Sequence, residues 1–494
     1  MIETGWISIV PPLLAIILAL ITKEVYSSLF LGVLSGMAIY VIFAQEPFIA
    51  VFSHLFDMMA QKIADNSYMI IFLALLWAVI TLVGRSGGTA AYGRWAERKL
   101  KSKRATLFTT ALLGVLIFID DGFNCLTIGT VMRPIYDRQK LSREKLAYII
   151  DATAAPVCII APVSSWAVAV ASEVSETNGF RVFLSTIPYN LYALLTLLMV
   201  FFVCFTGLDF GRMKQAEERA RLNPVQEEAS GAEGPEGRGK VIDLVLPILV
   251  LIVCAILGMA YVGGFFHGVP FSEAIGYYPT AGLSLGAFAG LVTALLLYLP
   301  RKIIGPKQFA ESIVSGIGSI VPPMLILILS WTLGGVCREM IGTGEFISGF
   351  VKASNLSLSL LPFFVFVIAA LMSFSMGTSW GTFGMLIPIV TIICAATGEM
   401  LVPALGATLA GSVYGDHCSP ISDTTILAST GAQCEHIRHV ETQIPYATLV
   451  AVVCAVGYLI IGFTGMPWIG LAAGAVLLAA AIFFLNRRSS RTES

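Results

Sequence analysis

Apolar runs long enough to span a bilayer recur along nearly the whole chain, and such runs leave the backbone few choices. In hydrocarbon every N–H and C=O must find its partner within the protein, so only helices or closed barrels cross. A crossing helix needs roughly 20 mostly apolar residues. Runs near that length lie at 7–21, 26–43, 68–83, 147–171, 182–205, 241–262, 281–299, 313–337, 401–428, 447–463 and 468–485. They predict an all-α polytopic membrane protein with about eleven transmembrane helices. Composition agrees, at 57% hydrophobic and 12% charged residues, where soluble domains carry roughly 25% charged. A net charge of −1 excludes the basic footprint of a nucleic-acid binder. The 9 cysteines stand singly, without a CxxC pair, and read as small buried hydrophobes rather than a disulfide frame or zinc site. Met1 to Trp6 holds an acid and no basic residue, so the first helix is expected to be retained rather than cleaved as a signal.

Two more apolar stretches, 105–134 and 360–392, are interrupted halfway by Gly and polar residues. Each reads as a re-entrant hairpin of two short helices, because a half-length helix cannot cross. Orientation follows Lys and Arg in the short loops. Arg85, Arg94, Arg98, Lys99, Lys101, Lys103 and Arg104, against Glu97, precede the first hairpin; Arg133, Arg138, Lys140, Arg143 and Lys145 follow it. Both flanks are therefore expected in the cytoplasm, together with Arg301, Lys302, Lys307 and the C-terminus, with the N-terminus outside. The segment 209–240 is charged and rich in Gly, Pro and Glu, and is expected to be a flexible cytoplasmic linker.

The chain also matches itself at an offset of about 254 residues, the mark of an internal repeat. Leu29 aligns with Leu283, Gly32 with Gly286, Gly36 with Gly290, Trp77 with Trp331, Gly88 with Gly342 and, one residue later in register, Thr127 with Thr382. The loop matching the basic one holds Arg338, Glu339, Glu345 and Lys352, so the two copies are expected in inverted topology. The division is a first repeat at 1–208 (hairpin 105–134, broken helix 147–171), the linker at 209–240, a second repeat at 241–464 (hairpin 360–392, broken helix 401–428), and an extra helix and tail at 465–494. Inverted repeats around interrupted helices characterise secondary transporters, whose sites lie where the helices break.

Charge inside the bilayer costs from about 2.5 kcal/mol per residue upward, so acids within apolar segments are informative. They are Asp120, Asp121, Asp151, Asp416 and Asp423, all beside predicted breaks. The first hairpin turns at Phe118-Ile-Asp-Asp-Gly-Phe-Asn-Cys-Leu-Thr127, and the second at Ser373-Phe-Ser-Met-Gly-Thr-Ser-Trp-Gly-Thr382. After each hairpin comes a helix broken by proline, around Pro156 and Pro420, which frees a backbone carbonyl. Carboxylate, hydroxyl and carbonyl oxygens form the hard ligand set that suits a small cation. Adjacent carboxylates also resist joint ionisation, so a cation and a proton compete for them, which is a sufficient mechanism for antiport. His417 reads equally as a ligand or a packed polar residue, Trp331 and Trp380 as packing, and Arg133, Arg338 and Glu339 as helix-end charges.

The string Gly415-Asp-His-Cys-Ser-Pro-Ile-Ser-Asp-Thr-Thr-Ile-Leu-Ala-Ser429, with Gly377-Thr-Ser-Trp-Gly-Thr382 upstream, resembles the NhaC-type sodium/proton antiporter family of the ion transporter superfamily. The resemblance implies opposed hairpins, helices unwound at mid-membrane, a scaffold homodimer with an elevator-like moving domain, and exchange of Na⁺ for H⁺. Related members exchange carboxylates or carry amino acids with sodium. The expected function is thus a multi-pass transporter of the bacterial inner membrane, not an enzyme, with no cofactor and with Na⁺ and H⁺ as cargo. The alternative is a sodium- or proton-coupled carrier of a small organic acid or amino acid. The expected site comprises Asp120, Asp121, Asn124, Thr127, Asp151, Thr378, Ser379, Asp416, Ser419, Asp423 and Thr424, with Asp121, Asp151, Asp416 and Asp423 as Na⁺ ligands.

Overall fold

A computed structural model describes residues 2, 4–89, 91, 100, 102–174, 179–207, 209–222, 239–275, 278–346, 349, 358–397 and 400–492. The described residues are helical and contain no strand. In chain order the helices are α1 Val10–Thr22, α2 Val25–Ala44, α3 Ala50–Asp65, α4 Ser67–Arg85, α5 Lys103–Leu116, α6 Asp121–Arg138, α7 Arg143–Cys158 and α8 Ser165–Glu173. There follow α9 Gly179–Thr186, α10 Leu191–Thr206, α11 Gly211–Leu222, α12 Val241–Val262, α13 Phe271–Ala274, α14 Pro279–Tyr298 and α15 Pro306–Gly335, which runs on into a π-turn, Val336–Met340. The last are α16 Leu361–Met376, α17 Ser379–Thr397, α18 Leu401–Cys418, α19 Asp423–Ala432, α20 His436–Thr464 and α21 Pro467–Thr492.

Among the described residues, 9 helices are long and apolar enough to cross a membrane. Large apolar side chains such as Phe43, Leu249, Leu296, Val452 and Phe463 stay exposed on them, as a lipid-facing surface requires. The chain is a multi-pass membrane protein. The count differs from the eleven apolar runs in four places. The run at 7–21 forms a helix too short to be counted, and those at 147–171 and 401–428 each comprise two short helices, α7 with α8 and α18 with α19. Conversely Leu358–Met376, the first arm of the hairpin expected at 360–392, is itself long and apolar enough to cross, while the run at 182–205 breaks at Ile187–Tyr189 and still supplies one span through α10.

The 209–240 segment is more ordered than its composition suggests. Its start folds as α11, which packs on α7 and α20 and buries Met213 and Ala216. Lys145 Nζ reaches Asp209 Oδ2 at 2.6 Å and Glu217 Oε2 at 3.6 Å, so these acids are tied down rather than solvated. The remainder of the linker, 223–238, lies outside the described residues, as do the orientation-setting Arg94, Glu97, Arg98, Lys99, Lys101 and Lys352.

Two sets of helices are each packed within themselves. α12 lies along α14, α14 and α15 along α4, and α1 along α2. In the other set α16 lies along α18, α19 crosses α6, and α7 packs on α5 and α6. Each half of the chain carries a pair of helices joined by a tight turn, followed by a broken helix. The turn between α16 and α17 sits at Gly377, whose φ of +67° is the left-handed cap that glycine adopts without steric cost.

Candidate functional site

The ends of four helices point to one region because each begins at a polar cap set into an apolar run. Asp120 caps α6, accepting the Phe123 N–H at 2.9 Å; Ser164 caps α8 through the Ala167 N–H at 3.0 Å; Ser422 caps α19 through the Thr425 N–H at 3.2 Å. α17 starts just after Gly377. Caps of this kind satisfy first-turn N–H groups that no water reaches. The first break is stitched to the first hairpin turn: Ser165 N donates to the Ile119 carbonyl at 3.0 Å, and Ser165 Oγ donates to Asp120 Oδ2 at 3.3 Å.

A cavity of about 380 Å³ opens where these ends meet. Asp120, Asp121 and Gly122 at the start of α6, Gly377, Thr378 and Trp380 at the start of α17, and Asp423, Thr424 and Leu427 in α19 form one wall. Lys23, Glu24 and Tyr26 between and at the start of α1 and α2, Trp77 of α4, and Ser319, Pro322, Pro323 and Ile326 of α15 form the facing wall. The cavity thus lies between the two helix sets. Asp121 and Asp423 are both first-turn residues, bonded through Oδ1 to the N–H groups of Gly122 at 3.0 Å and Thr424 at 2.9 Å. A carboxylate at a helix N-terminus faces the positive end of the helix dipole, which offsets part of its burial cost.

Five of the eleven residues singled out from sequence, Asp120, Asp121, Thr378, Asp423 and Thr424, line this cavity. The others stand behind it. Asp416 Oδ2 accepts from Thr424 Oγ1 at 3.0 Å, and its Oδ1 has no hydrogen-bond partner among the described residues. Ser379 Oγ donates to the Ser412 carbonyl at 3.1 Å, joining α17 to α18. Ser419 sits buried in the second break, where its Oγ accepts the Ile421 N–H at 3.4 Å. Asn124 Nδ2 donates to the carbonyls of Gly114 at 2.8 Å and Ile117 at 2.9 Å, so its amide closes the C-terminal end of α5. Thr127 is buried in α6, away from the cavity lining.

Of the four acids expected as Na⁺ ligands, Asp121 and Asp423 open onto the cavity, Asp416 stands behind Thr424, and Asp151 lies outside the lining. Among the described residues no three His, Cys, Asp or Glu side chains converge closely enough to hold a metal ion. Asp151 in particular is fully buried outside the cavity, where its Oδ2 accepts from Gln443 Nε2 at 2.6 Å and Thr425 Oγ1 at 3.2 Å and meets His439 Nε2 at 3.3 Å. His417 Nε2 stands 4.0 Å from the other oxygen, and its Nδ1 meets the Tyr192 hydroxyl at 3.1 Å. Both broken helices and α20 are thereby knotted at one carboxylate. His439 and Gln443 belong to this knot yet fall outside the predicted span 447–463. The spacing His439, Gln443, Tyr446, Val450 marks one helical face, and all four are buried. Glu173, at the end of α8, is a further buried acid that the sequence reading passed over.

Aromatic packing supports the cavity wall. Trp166 of α8 meets Trp380 with ring centroids 5.9 Å apart and Phe383 at 5.6 Å, so Trp380 both packs and faces the cavity. Trp331 is a packing residue whose Nε1 donates to Ser172 Oγ at 3.3 Å.

The sequence profile of the Na⁺/H⁺ antiporter family matches residues 166–463. An uncharacterized protein of Haemophilus influenzae is 37% identical over 505 residues, covering 97% of this chain and 95% of that one. The malate-2H⁺/Na⁺-lactate antiporter of Bacillus subtilis is 31% identical over 187 residues, 37% of this chain and 38% of that protein. Among solved structures, the YdaH transporter of Alcanivorax borkumensis superposes with a TM-score of 0.59 over 85% of this chain and 90% of that one, at 12% identity, a likeness of fold alone.

Proposed function

The chain belongs to the Na⁺/H⁺ antiporter family of secondary transporters, and from that membership we propose that it exchanges sodium for protons at the cavity between the two helix sets. The observation that carries this reading is the pair Asp121 and Asp423: first-turn carboxylates of two different helices, opening onto one cavity with Asp120, Thr378 and Thr424 beside them. Sodium takes carboxylate and hydroxyl oxygens there, and carbonyls freed at the breaks complete its shell. A proton on the same carboxylates removes the charge that holds the ion, so the two cargoes alternate. Asp416 acts one step behind through Thr424, while Asp151 anchors the broken helices.

Alternating access is elevator-like in this proposal. The set containing α5–α8 and α16–α19 carries the cavity carboxylates and moves against a scaffold of α1, α2, α4, α12, α14 and α15, which supplies the facing wall and the homodimer contact. The tight-turn pair and broken helix of each half form inverted repeats, with the N-terminus outside and the C-terminus in the cytoplasm. The test is dye-reported proton movement in everted vesicles on addition of NaCl. Wild type is expected to move protons, whereas Asp121→Asn and Asp423→Asn abolish the response; variants indistinguishable from wild type would refute the assignment.

One observation favours a second reading. A cavity of about 380 Å³ far exceeds the roughly 10–15 Å³ that one water needs on the same measure and accommodates a small organic anion, with Lys23 on its wall. Malate- or lactate-driven sodium flux in proteoliposomes, set against flux driven by a pH gradient alone, separates the two.

A further inference from the structure

Glu173 lies outside the cavity, yet two features connect it to the site. It ends α8, whose first residue, Ser165, holds Asp120, about 12 Å away along the helix at 1.5 Å per residue. It also meets α15 on the face that lines the cavity. Ser319, Pro322, Pro323 and Ile326 border the cavity, and Ser330, one turn further on the same stripe, contacts Glu173.

The hydrogen count at Ser330 fixes what Glu173 must be. Ser330 Oγ is 2.8 Å from Glu173 Oε2 and also in close contact with the Gly384 carbonyl. In a regular helix that carbonyl takes the N–H four residues on, but that residue is Pro388, which has none. The buried carbonyl therefore needs the Ser330 proton, and a hydroxyl has only one to give. The remaining contact, between two oxygens, is attractive only when the carboxyl itself donates. The surroundings agree: among the described residues Glu173 Oε1 has no hydrogen-bond partner, and neither does Nη1 of Arg338 on the neighbouring π-turn, whose charge is felt at Glu173. A buried carboxylate within the field of a buried guanidinium would be expected to take that donor.

We propose that Glu173 is a second proton-carrying carboxyl of the transporter, holding a proton in the state described here and exchanging it in step with the cavity. The proposal rests on the transport reading only for its coupling. Among the described residues the charged group facing Glu173 is Arg338 of the π-turn; beyond Arg338 stand Cys337 and Glu339, the latter paired with Lys62 of α3. At this contact stand the Gly384 carbonyl of α17 and the Ser330 hydroxyl of α15, both uncharged. When the proton leaves, the new carboxylate takes the unfilled N–H of Arg338, so proton release draws α8 toward the end of α15.

Infrared difference spectroscopy of the reconstituted protein tests the proton directly. Wild type at neutral pH is expected to show a carboxylic-acid C=O band that disappears in Glu173→Gln, whose amide N–H donates to Ser330 as the acid does. In Ser330→Ala the band should persist but shift, since its hydrogen-bond acceptor is gone. A spectrum unchanged by Glu173→Gln overturns the proposal whatever the cargo proves to be. Coupling is read from radiolabelled sodium: Glu173→Gln should lose flux driven by a pH gradient and keep sodium–sodium exchange at symmetric pH. Retained pH-driven flux with a wild-type pH profile overturns the coupling. Absence of sodium flux in wild type would instead refute the proposed cargo, and the infrared result would still decide the proton on Glu173.

Discussion

Gln443 Nε2 donates to Asp151 Oδ2 at 2.6 Å and to the His417 carbonyl at 2.8 Å, so one amide on α20 holds both the buried carboxylate and the frayed end of α18. Gln443→Leu removes both donors while filling similar space. The His417 carbonyl is left without this donor, at about 1–3 kcal/mol, while Asp151 Oδ2 loses its shortest contact and keeps those to Thr425 and His439. The variant is expected to unfold at a distinctly lower temperature in detergent and to lose transport, even though Gln443 lies off the cavity. Gln443→Glu should be worse, since it sets a second acid against Asp151. A thermal midpoint equal to wild type in either variant would show that the knot does not hold the breaks together.

Sodium binding at the cavity must also show as stability, because a ligand that binds only the folded state stabilises it by about 2.7 kcal/mol at a hundred times its dissociation constant. Replacing choline chloride by NaCl at fixed ionic strength should raise the thermal midpoint of the purified protein. The increment should vanish in Asp423→Asn and Asp121→Asn, which face the cavity. It should survive in Lys145→Arg, which does not. An equal increment in all variants would locate sodium elsewhere.

What was legible in the sequence follows from where local signals are strong. Asp120, Asp121 and Asp423 stand out because ionisable residues inside apolar runs are costly, and Gly377 and Pro420 mark the breaks beside them. The transmembrane class follows from the length of the apolar runs. The partition of the acids did not show, because it is set by residues distant in the chain. Asp151 is enclosed by His439 and Gln443, which come from α20, within the stretch His-Ile-Arg-His-Val-Glu-Thr-Gln that reads as a charged loop. Glu173 ends an apolar run just before Val174-Ser-Glu-Thr-Asn-Gly179 and so looks like a boundary charge. The helices that pack on α8 from elsewhere in the chain, α4, α15 and α17 among them, make it buried. α11 was hidden for the same reason: its anchoring charges are paired with Lys145 in α7.

Gly129 of α6 and Gly431 of α19 mark where the two site-bearing helices cross. A Cβ on Gly129 would lie 2.4 Å from the Gly431 backbone carbonyl carbon, a clash with main chain that no side-chain rotation relieves. Gly129→Ala must therefore push α6 from α19 and separate Asp121 from Asp423. Overpacking of this kind costs about 1–3 kcal/mol or more. Reduced yield of folded protein and loss of sodium-driven proton movement are expected, whereas Gly318→Ala, with open space around it, should behave as wild type. Wild-type transport by Gly129→Ala would mean the crossing is looser than the structure has it.

Lys145 joins the start of α7 to α11. It is almost fully buried against Asp209 and Glu217, and Glu217 Oε1 also accepts from Ser142 N at 2.8 Å and Ser142 Oγ at 2.6 Å. Removing one member of a buried charge cluster strands the others, at about 3–5 kcal/mol, whereas replacing the whole cluster by neutral groups is often nearly neutral. Lys145→Met alone should thus destabilise strongly, and combining it with Asp209→Asn and Glu217→Gln should recover most of the loss. Because the stranded Glu217 also holds Ser142, whose Oγ caps α7, the single variant should also loosen the helix that carries Asp151 and reduce transport. Thermal midpoints of the single, double and triple variants measure the coupling; strictly additive losses would show that the three charges act independently and that α11 is not clamped to α7 through them.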